Sequence, residues 1–432
     1  MGSKQQVTQQ ADQSYWAVVK RQFNKNRLAV WSLRVVYVIF IVGIFADFLA
    51  NEKPIYCKLN GKTYFPIFNE YAVSLGIGKM PAELLNTDWV HADYESVLRT
   101  PIPYSPLTQD WDNAYASPTK KQDVASWRFR HLLGSDQLGR DLLSGLIHGT
   151  RIAMLVGIVS MAIASFIGII LGSMAGYFGD ERLQISRARL WLNLLFIFFA
   201  WYYAFNTRSF ALGDAFAESF GAFTWQFIIS LSIFVLIMAI PNVLAMVIKK
   251  IPGLGKPITV PVDIIVSRLI EVLNSIPTIL LILSICAVAK KPSIMLIMVI
   301  IGFTGWTGIA KYIRAELLKV RGLEYIEAAQ SLGYSEWRIM FRHAIPNALT
   351  SVLISIAFGV ASAILTESAL SFLGIGVQAD VVTWGKLLNE ARNEVSAWWF
   401  AVFPGFAIFL TVTIFNLLGD GLNEALDPRL KQ

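Results

Sequence analysis

The chain has 432 residues, of which 55% are apolar and 16% charged, and its mean hydropathy is +0.52. This composition excludes an ordinary soluble domain and is typical of a protein with several membrane spans. The formal net charge of +7 does not indicate nucleic-acid binding. The Lys and Arg residues are spread through short loops between apolar runs, where they orient a chain in the membrane.

Apolar runs of membrane-spanning length recur along the chain. A hydrocarbon core about 30 Å thick needs roughly 20 apolar helical residues per span. The predicted fold is therefore all-α, a polytopic bundle of about eight transmembrane helices. The predicted spans are Leu28–Ala50, Ile152–Ala175, Leu190–Asn206, Ala222–Ile248, Val262–Ala289, Pro292–Ala310, Asn347–Thr366 and Trp398–Leu418.

The positive charges predict the orientation of these spans. With both termini in the cytoplasm, the inner segments carry nineteen Lys and Arg residues and the short outer loops five. Short cytoplasmic loops retain positive charge during insertion, so this difference favours the arrangement. The long segment 51–149 is left out of the count and is predicted to lie outside the cytoplasm. Its prolines and aromatic residues fit a small ordered subdomain or a loosely packed cap.

The loop between the sixth and seventh spans has a pattern of its own. Residues 323–332 form a predicted amphipathic helix in which Tyr325, Ala328, Ala329 and Leu332 share a face. Gly333 is placed to end this helix in a left-handed conformation. Ser335 is placed to cap a second short helix, and Pro346 suits the first turn of the next span. Taken alone, the pattern also fits a solvated connector.

This loop resembles the signature of bacterial ATP-binding-cassette importer permeases. The signature has Glu-Ala-Ala, then Gly after three residues, then a hydrophobic residue followed by Pro. The matching residues are Glu327, Ala328, Ala329, Gly333, Ile345 and Pro346. The resemblance implies that these residues form the interface with an ATPase subunit. His343 stands where many members have Ile and is expected to be a packing or interface residue.

Three further segments resemble the C-type permease of dipeptide, oligopeptide and nickel importers. They are Phe23–Val30, Leu133–Ile152 and Thr366–Val377, the last followed by Trp384 and Gly385. Within the second, a turn with an Arg and carboxylate network at the outer membrane surface is expected, formed by Gly134, Asp136, Gly139, Arg140 and Asp141. A structural clamp is favoured for it over a substrate site.

The resemblance also suggests residues of the translocation path. Pro277 matches a family region where a kink opens room between helices. Glu367 and Ser368 lie near the outer end of the seventh span. They would either face the translocation path or occupy a simple interfacial position.

The resemblance divides the chain into segments with expected roles. The expected division is a cytoplasmic segment 1–27, a first span 28–50, an extracytoplasmic region 51–149, a second span 150–180, an inserted pair of spans 181–260 and a permease core 261–432 with a coupling loop 311–346. The inserted pair keeps the number of spans even. With an odd number, Glu327 would face away from the cytoplasm, where no ATPase could reach it.

The expected function is that of a permease subunit in the bacterial inner membrane, which moves peptides or nickel inward by alternating access. The implied partners are a second homologous permease, two ATP-binding-cassette ATPase subunits, an extracytoplasmic substrate-binding protein and membrane lipid. No cofactor, metal or catalytic residue is expected in the chain itself.

Other function classes fit the sequence less well. The chain has no GxxxxGK[ST] loop for phosphates, so ATP hydrolysis is expected in a partner and not in this chain. An ion-coupled secondary transporter is the alternative function. It would show ionisable residues at mid-membrane depth or an inverted repeat, and neither is visible in the sequence.

Overall fold

The computed structural model describes residues 15–426 except 75, 86, 91, 125, 219, 249, 252, 289–292, 377 and 379. Three sets of predicted boundaries therefore lie outside the described residues: the ends of two spans at Ala289 and Pro292, the segment end at Val377, and the first fourteen and last six residues of the chain. The described chain divides into two compact units, one of residues 1–173 with 270–432 and one of residues 174–269.

The described part of the chain is mainly helical, as predicted. Its helices are α1 Tyr15–Lys25, α2 Arg27–Ile44, α3 Ala46–Leu49, α4 Pro66–Ser74, α5 Leu142–Phe178, α6 Arg187–Trp201, α7 Ser209–Glu218, α8 Phe220–Ile248, α9 Val262–Ser275, α10 Thr278–Val288, α11 Ile294–Val320, α12 Glu324–Ser331, α13 Glu336–Ile339, α14 Ile345–Phe372, α15 Trp384–Glu390 and α16 Trp399–Leu426. Its strands are β1 Tyr56–Leu59, β2 Lys62–Tyr64, β3 Ser96–Leu98, β4 Gln184–Ser186 and β5 Pro257–Thr259.

The described residues contain seven helices that are long and apolar enough to cross a membrane, or eight if the bent pair α9 and α10 is one span. These two helices meet at 79°, so the kink predicted at Pro277 is present. Proline cannot donate the backbone hydrogen bond that a continuous helix needs there.

Several helices extend beyond the predicted spans. Helix α5 begins at Leu142 instead of Ile152 and has 37 residues, which makes it about 55 Å long. Helix α11 continues to Val320, so the first part of the predicted loop 311–346 is helical. Hydropathy predicts only the most apolar part of a helix. The extra turns at the start of α5 and at the end of α11 contain polar residues, so they fell outside the predicted spans.

The core of the first unit lies between long helices. Val156 of α5, Ile282 of α10, Ile297 of α11 and Ala363 of α14 belong to one buried cluster. A second cluster joins α1 and α2 to the end of α16. There the Asn26 side chain accepts a hydrogen bond from the Ala29 amide at 3.1 Å and donates one to Glu424 at 2.6 Å.

Helices α5 and α11 cross with their backbones close together. A Cβ atom on Gly172 would lie 2.5 Å from the Ala310 carbonyl oxygen, and one on Gly302 would lie 2.8 Å from the Ser160 carbonyl oxygen. The Ser160 hydroxyl donates to the Met298 carbonyl at 2.9 Å. Small residues of this kind let membrane helices approach closely and gain dispersion energy and hydrogen bonds.

The segment between α3 and α5 is an ordered subdomain, which decides between the two alternatives left by the sequence. Its antiparallel sheet has the order β2-β1-β3, and Cys57, Leu84 and Trp89 form a small core beside it. Arg99 donates to the carbonyls of Trp89 and Val90 at 2.9 and 3.1 Å.

A buried histidine joins this subdomain to the start of α5. His131 is fully buried. Its Nδ1 lies 2.9 Å from Asp141 and its Nε2 3.2 Å from Asp110, while Tyr104 stacks on its ring. Asp141 also accepts a hydrogen bond from the Ser144 amide in the first turn of α5, at 2.7 Å. Both ring nitrogens face carboxylates, an arrangement that the doubly protonated imidazolium satisfies.

The charge on this histidine is favoured in the folded protein. Burial alone would lower the pKa of His131, but the hydrogen bonds and charges of Asp141 and Asp110 raise it above its ordinary value. The resulting stability is fully present below the unfolded-state pKa of about 6.5 and is lost as the pH rises through the folded-state pKa.

The thermal unfolding midpoint of the purified chain should therefore fall as the pH is raised above about 6.5. His131→Gln should flatten this fall, because glutamine carries no titrating charge. His343→Gln, which leaves His131 and its two carboxylates intact, should keep this fall. Equal pH profiles for the wild type and His131→Gln, followed by intrinsic fluorescence, would contradict the assignment.

Candidate functional site

Helix α12 contains the first three residues of the predicted signature, Glu327 to Ala329, and two of them are exposed at the surface. Ile326 and Ala329 are buried, whereas Glu327 and Ala328 are exposed. The helix is held to the start of α14 by a hydrogen bond of 2.8 Å from the Asn347 amide to the Tyr325 hydroxyl. One side of α12 is therefore packed against the chain, and the Glu327 carboxylate on its other side is available to a partner protein.

The turn after α12 has the predicted conformation. Gly333 has φ +78°, in the left-handed region that glycine adopts without strain. Ser335 occupies the N-cap position of α13, but its side chain makes no capping hydrogen bond. Pro346 stands in the first turn of α14, as predicted.

The second short helix differs from the prediction. Helix α13, the π-helical turn Met340–Ala344 and α14 are continuous, so residues 336–372 form one long helix. Its first turns belong to the surface region that contains α12, and its remainder enters the core. A displacement of this region is thereby connected directly to a core helix.

Apolar side chains surround Glu327 on this surface. The predicted shared face is exposed except for Ala329, with Leu332 74% exposed. Trp337 and Phe341 are also exposed and stack on each other. His343 stacks on Tyr334, which is the packing role expected for it. We call the surface formed by Glu327, Ala328, Leu332, Trp337 and Phe341 the coupling surface.

A cavity of about 610 Å³ lies along α11 and α14. Most of its lining residues are small or hydroxylic and recur at helical spacing. Gly305, Gly308 and Tyr312 of α11 and Ser351, Ser355 and Ser362 of α14 line it, together with residues of α5 and α16. No atom lies within 4 Å of a Cβ placed on Gly308. We call this cavity the glycine-serine groove.

The residues predicted for the translocation path lie elsewhere. Pro277 is exposed at the bend between α9 and α10. Glu367 and Ser368 are 1% and 4% exposed, and neither lines the groove. Glu367 is thus enclosed within this chain, and a place for it on the translocation path stays a prediction.

Hydroxyl groups satisfy the buried Glu367. Ser371 donates to its Oε1 at 2.5 Å, and the Thr383 hydroxyl also hydrogen-bonds to it. Thr383 in turn caps α15 by accepting from the Lys386 amide at 3.2 Å. Next to it, Trp384 donates to the Leu146 carbonyl of α5 at 3.0 Å. Glu367 therefore helps to hold α15 between α14 and α5.

The predicted charged clamp is present and has two members that the sequence did not suggest. Arg140 and Asp136 form an ion pair at 2.5 Å, and Arg140 also reaches Glu390 of α15 at 3.7 Å. Asp141 pairs with His131 instead. The residues of the glycine-serine groove were also missed. The recurrence of Gly305, Gly308, Ser351 and Ser355 at helical spacing was the available signal.

Comparisons with known proteins agree with the arrangement. A family profile described as "Binding-protein-dependent transport system inner membrane component" matches residues 257–432. One described as "N-terminal TM domain of oligopeptide transport permease C" matches residues 14–66. The glutathione transport system permease protein GsiD of Pectobacterium atrosepticum is 31% identical over 302 residues, which cover 70% of this chain and 73% of that protein. The chain belongs to the family of binding-protein-dependent transport system inner membrane components.

Two further relatives support the assignment over different lengths. The inner membrane ABC transporter permease protein YejE of Escherichia coli is 27% identical over 96% of this chain and 97% of its own length. The dipeptide transport system permease protein DppC of Bacillus subtilis is 28% identical over 70% of each chain. The protein is thus a multi-pass permease subunit of an ABC transporter and not an enzyme.

Replacing Glu367 in this permease separates a structural role from one in transport. Glu367→Ala should lower the stability by about 1–3 kcal/mol, because it leaves the buried Ser371 and Thr383 hydroxyls without their acceptor. Glu367→Gln keeps an acceptor oxygen at the same reach and should cost less. Thermal unfolding in detergent measures both. If Glu367→Ala were as stable as the wild type and only transport were lost, the structural assignment would fail.

Proposed function

We propose that the chain is one of two permease subunits of an ATP-driven importer of peptides, working with two ATPase subunits and an extracytoplasmic substrate-binding protein. Peptides are favoured over nickel because the relatives are named for glutathione and dipeptides. No observation favours the ion-coupled secondary transporter.

The exposure of Glu327 within an apolar surface carries this proposal. A carboxylate on a short, packed helix offers a charge-assisted hydrogen bond to an Arg or a backbone donor of a partner protein. The surrounding Leu332, Trp337 and Phe341 supply area of the kind that protein interfaces bury. Closure of the ATPase pair would move α12, and the continuous helix 336–372 would transmit that movement to the groove.

In this mechanism the glycine-serine groove forms this chain's side of the substrate path. Its volume of about 610 Å³ is within the usual range of about 300–1,000 Å³ for small-molecule sites. Serine hydroxyls and the backbone exposed at glycines can hydrogen-bond to peptide groups without selecting particular side chains. The second permease would close the open side of the groove.

The proposed orientation follows from the charge distribution. Both termini and the coupling surface would lie in the cytoplasm, where the ATPases are, and the subdomain between α3 and α5 would lie outside it. The bent pair α9 and α10 would then count as one span, which gives eight.

Glu327→Lys should reduce ATP-dependent peptide uptake about tenfold or more, since a bidentate or charge-assisted contact would become a repulsive one. Glu324→Lys is the matched control. It makes the same charge change in the first turn of the same helix, so its effect on the stability of α12 should be similar. Uptake of labelled dipeptide into proteoliposomes is measured. Equal uptake by both variants would count against the coupling surface.

Gly308→Leu should block the path without disturbing the fold. Its side chain would project into the groove, where the new Cβ meets no atom within 4 Å apart from its chain neighbours and the backbone of its own helix. Gly405→Leu is the control, because this glycine also lies in a helix with open space around it but outside the groove. We expect uptake to fall at least about fivefold in the first variant only, with similar helix-propensity effects on stability in both. Normal uptake by Gly308→Leu would place the path elsewhere.

A further inference from the structure

The unit of residues 174–269 is a helical hairpin with a positively charged end. Helices α6 and α8 pack side by side, and the two-stranded sheet β4-β5 joins their ends, with Ile185 opposite Ile258. The apolar side chains of both helices are largely exposed. They include Trp191 and Leu194 on α6 and Val243 and Val247 on α8. Exposed apolar surface on helices of spanning length is the surface that lipid covers.

Strand pairing gathers basic residues at the sheet end of this hairpin. The Arg187 amide donates to the Lys256 carbonyl at 3.1 Å, and the next amide, of Ala188, donates to the Leu254 carbonyl at 3.0 Å. Lys250 follows the last turn of α8 at the same end. Arg187, Arg189, Lys250 and Lys256 are all exposed. We call these four residues the basic collar.

The collar concentrates positive charge that the described residues do not neutralise. Arg187 and Arg189 stand in the first turn of α6, which contains no acidic residue, although the positive end of the helix dipole favours acidic side chains there. Arg187 lies beside Lys256, because its amide donates to the Lys256 carbonyl. Within the described ranges, Arg187, Lys250 and Lys256 form no ion pair. An anion bound at the collar would offset this positive charge at the start of α6.

The other end of the hairpin provides a contrast. Arg208 donates to Ser230 at 3.0 Å and to Gln226 at 2.5 Å, so its guanidinium is occupied within the unit. The span Arg187–Asn206 has 20 residues, a length that matches a hydrocarbon core of about 30 Å. The collar therefore lies at the level of the lipid headgroups on one surface of the membrane.

We propose that the basic collar binds the phosphate groups of anionic phospholipids at the membrane surface. Lipid is the source of the phosphate, because the collar adjoins helices whose exposed side chains are apolar. Clusters of Lys and Arg next to a span attract anionic lipids electrostatically. This inference does not depend on the substrate of the importer.

The test compares lipid retention by the full-length chain, together with any partner subunits that copurify, in mild detergent. Samples are mixed with phosphatidylglycerol or phosphatidylcholine of the same acyl chains, and bound lipid is counted by native mass spectrometry. The wild type should prefer phosphatidylglycerol. The triple substitution Arg187→Gln, Lys250→Gln and Lys256→Gln should reduce that preference about tenfold or more.

The matched control removes three exposed positive charges from the subdomain between α3 and α5, by Lys79→Gln, Lys120→Gln and Lys121→Gln. It should keep the wild-type preference. Retention of the preference by the triple variant, or equal loss in the control, would overturn the proposal. Displacement of the lipid by an equal concentration of inorganic phosphate would also overturn it, by assigning the collar to a soluble anion.

Folding of the triple variant is checked by its elution volume. If it does not elute as the wild type does, Arg187→Gln and Lys256→Gln alone carry the test, each with an expected loss of about fivefold. Raising the salt concentration on the wild type is an independent measurement. It should weaken phosphatidylglycerol binding, because exposed charges are screened, and unchanged binding would contradict a phosphate contact.

Discussion

The close crossing of α5 and α11 is the contact on which the arrangement of the first unit depends. Gly172 and Gly302 let the two backbones approach to distances that no larger residue permits. In a membrane such packing supplies much of the association energy, because lipid is as apolar as the helices themselves. The crossing fixes α11, and α11 supplies one wall of the glycine-serine groove and leads at its end into the coupling surface. The positions of both candidate sites therefore follow from one backbone contact.

The first unit is held differently at its two ends. At the start of α5, buried polar groups are satisfied in fixed geometry: His131 lies between two carboxylates, Glu367 accepts from hydroxyls, and Trp384 donates to a backbone carbonyl. Such networks are rigid, because any displacement leaves a buried polar group unpaired. At the end of α11, the coupling surface keeps apolar side chains exposed. Exposed apolar area of that kind is what protein interfaces bury.

The second unit combines features that an isolated soluble protein would not tolerate. Its helices expose aromatic and aliphatic side chains along most of their length. Its Arg208 lies in internal hydrogen bonds, and its Arg187 and Arg189 belong to the basic collar. A bilayer accommodates both, because its interior covers apolar surface and its anionic headgroups balance positive charge. The groove and the coupling surface contain no residue of this unit.

The sequence by itself determined the helical membrane fold, the family resemblance and the local geometry after α12. Hydropathy, the turn chemistry of Gly333 and the position of Pro346 depend only on neighbouring residues, so they could be predicted without contacts. The tertiary structure decided which polar groups are buried. Glu367 was a possible path residue in the sequence and is enclosed by hydroxyls, because Thr383 reaches it only when α15 packs against α14. The groove likewise needs α11 and α14, which residues 321–344 separate in the chain, to place their glycine and serine faces together. Burial depends on residues distant in the chain, and the periodicity of one helix cannot show which of its faces a neighbour will cover.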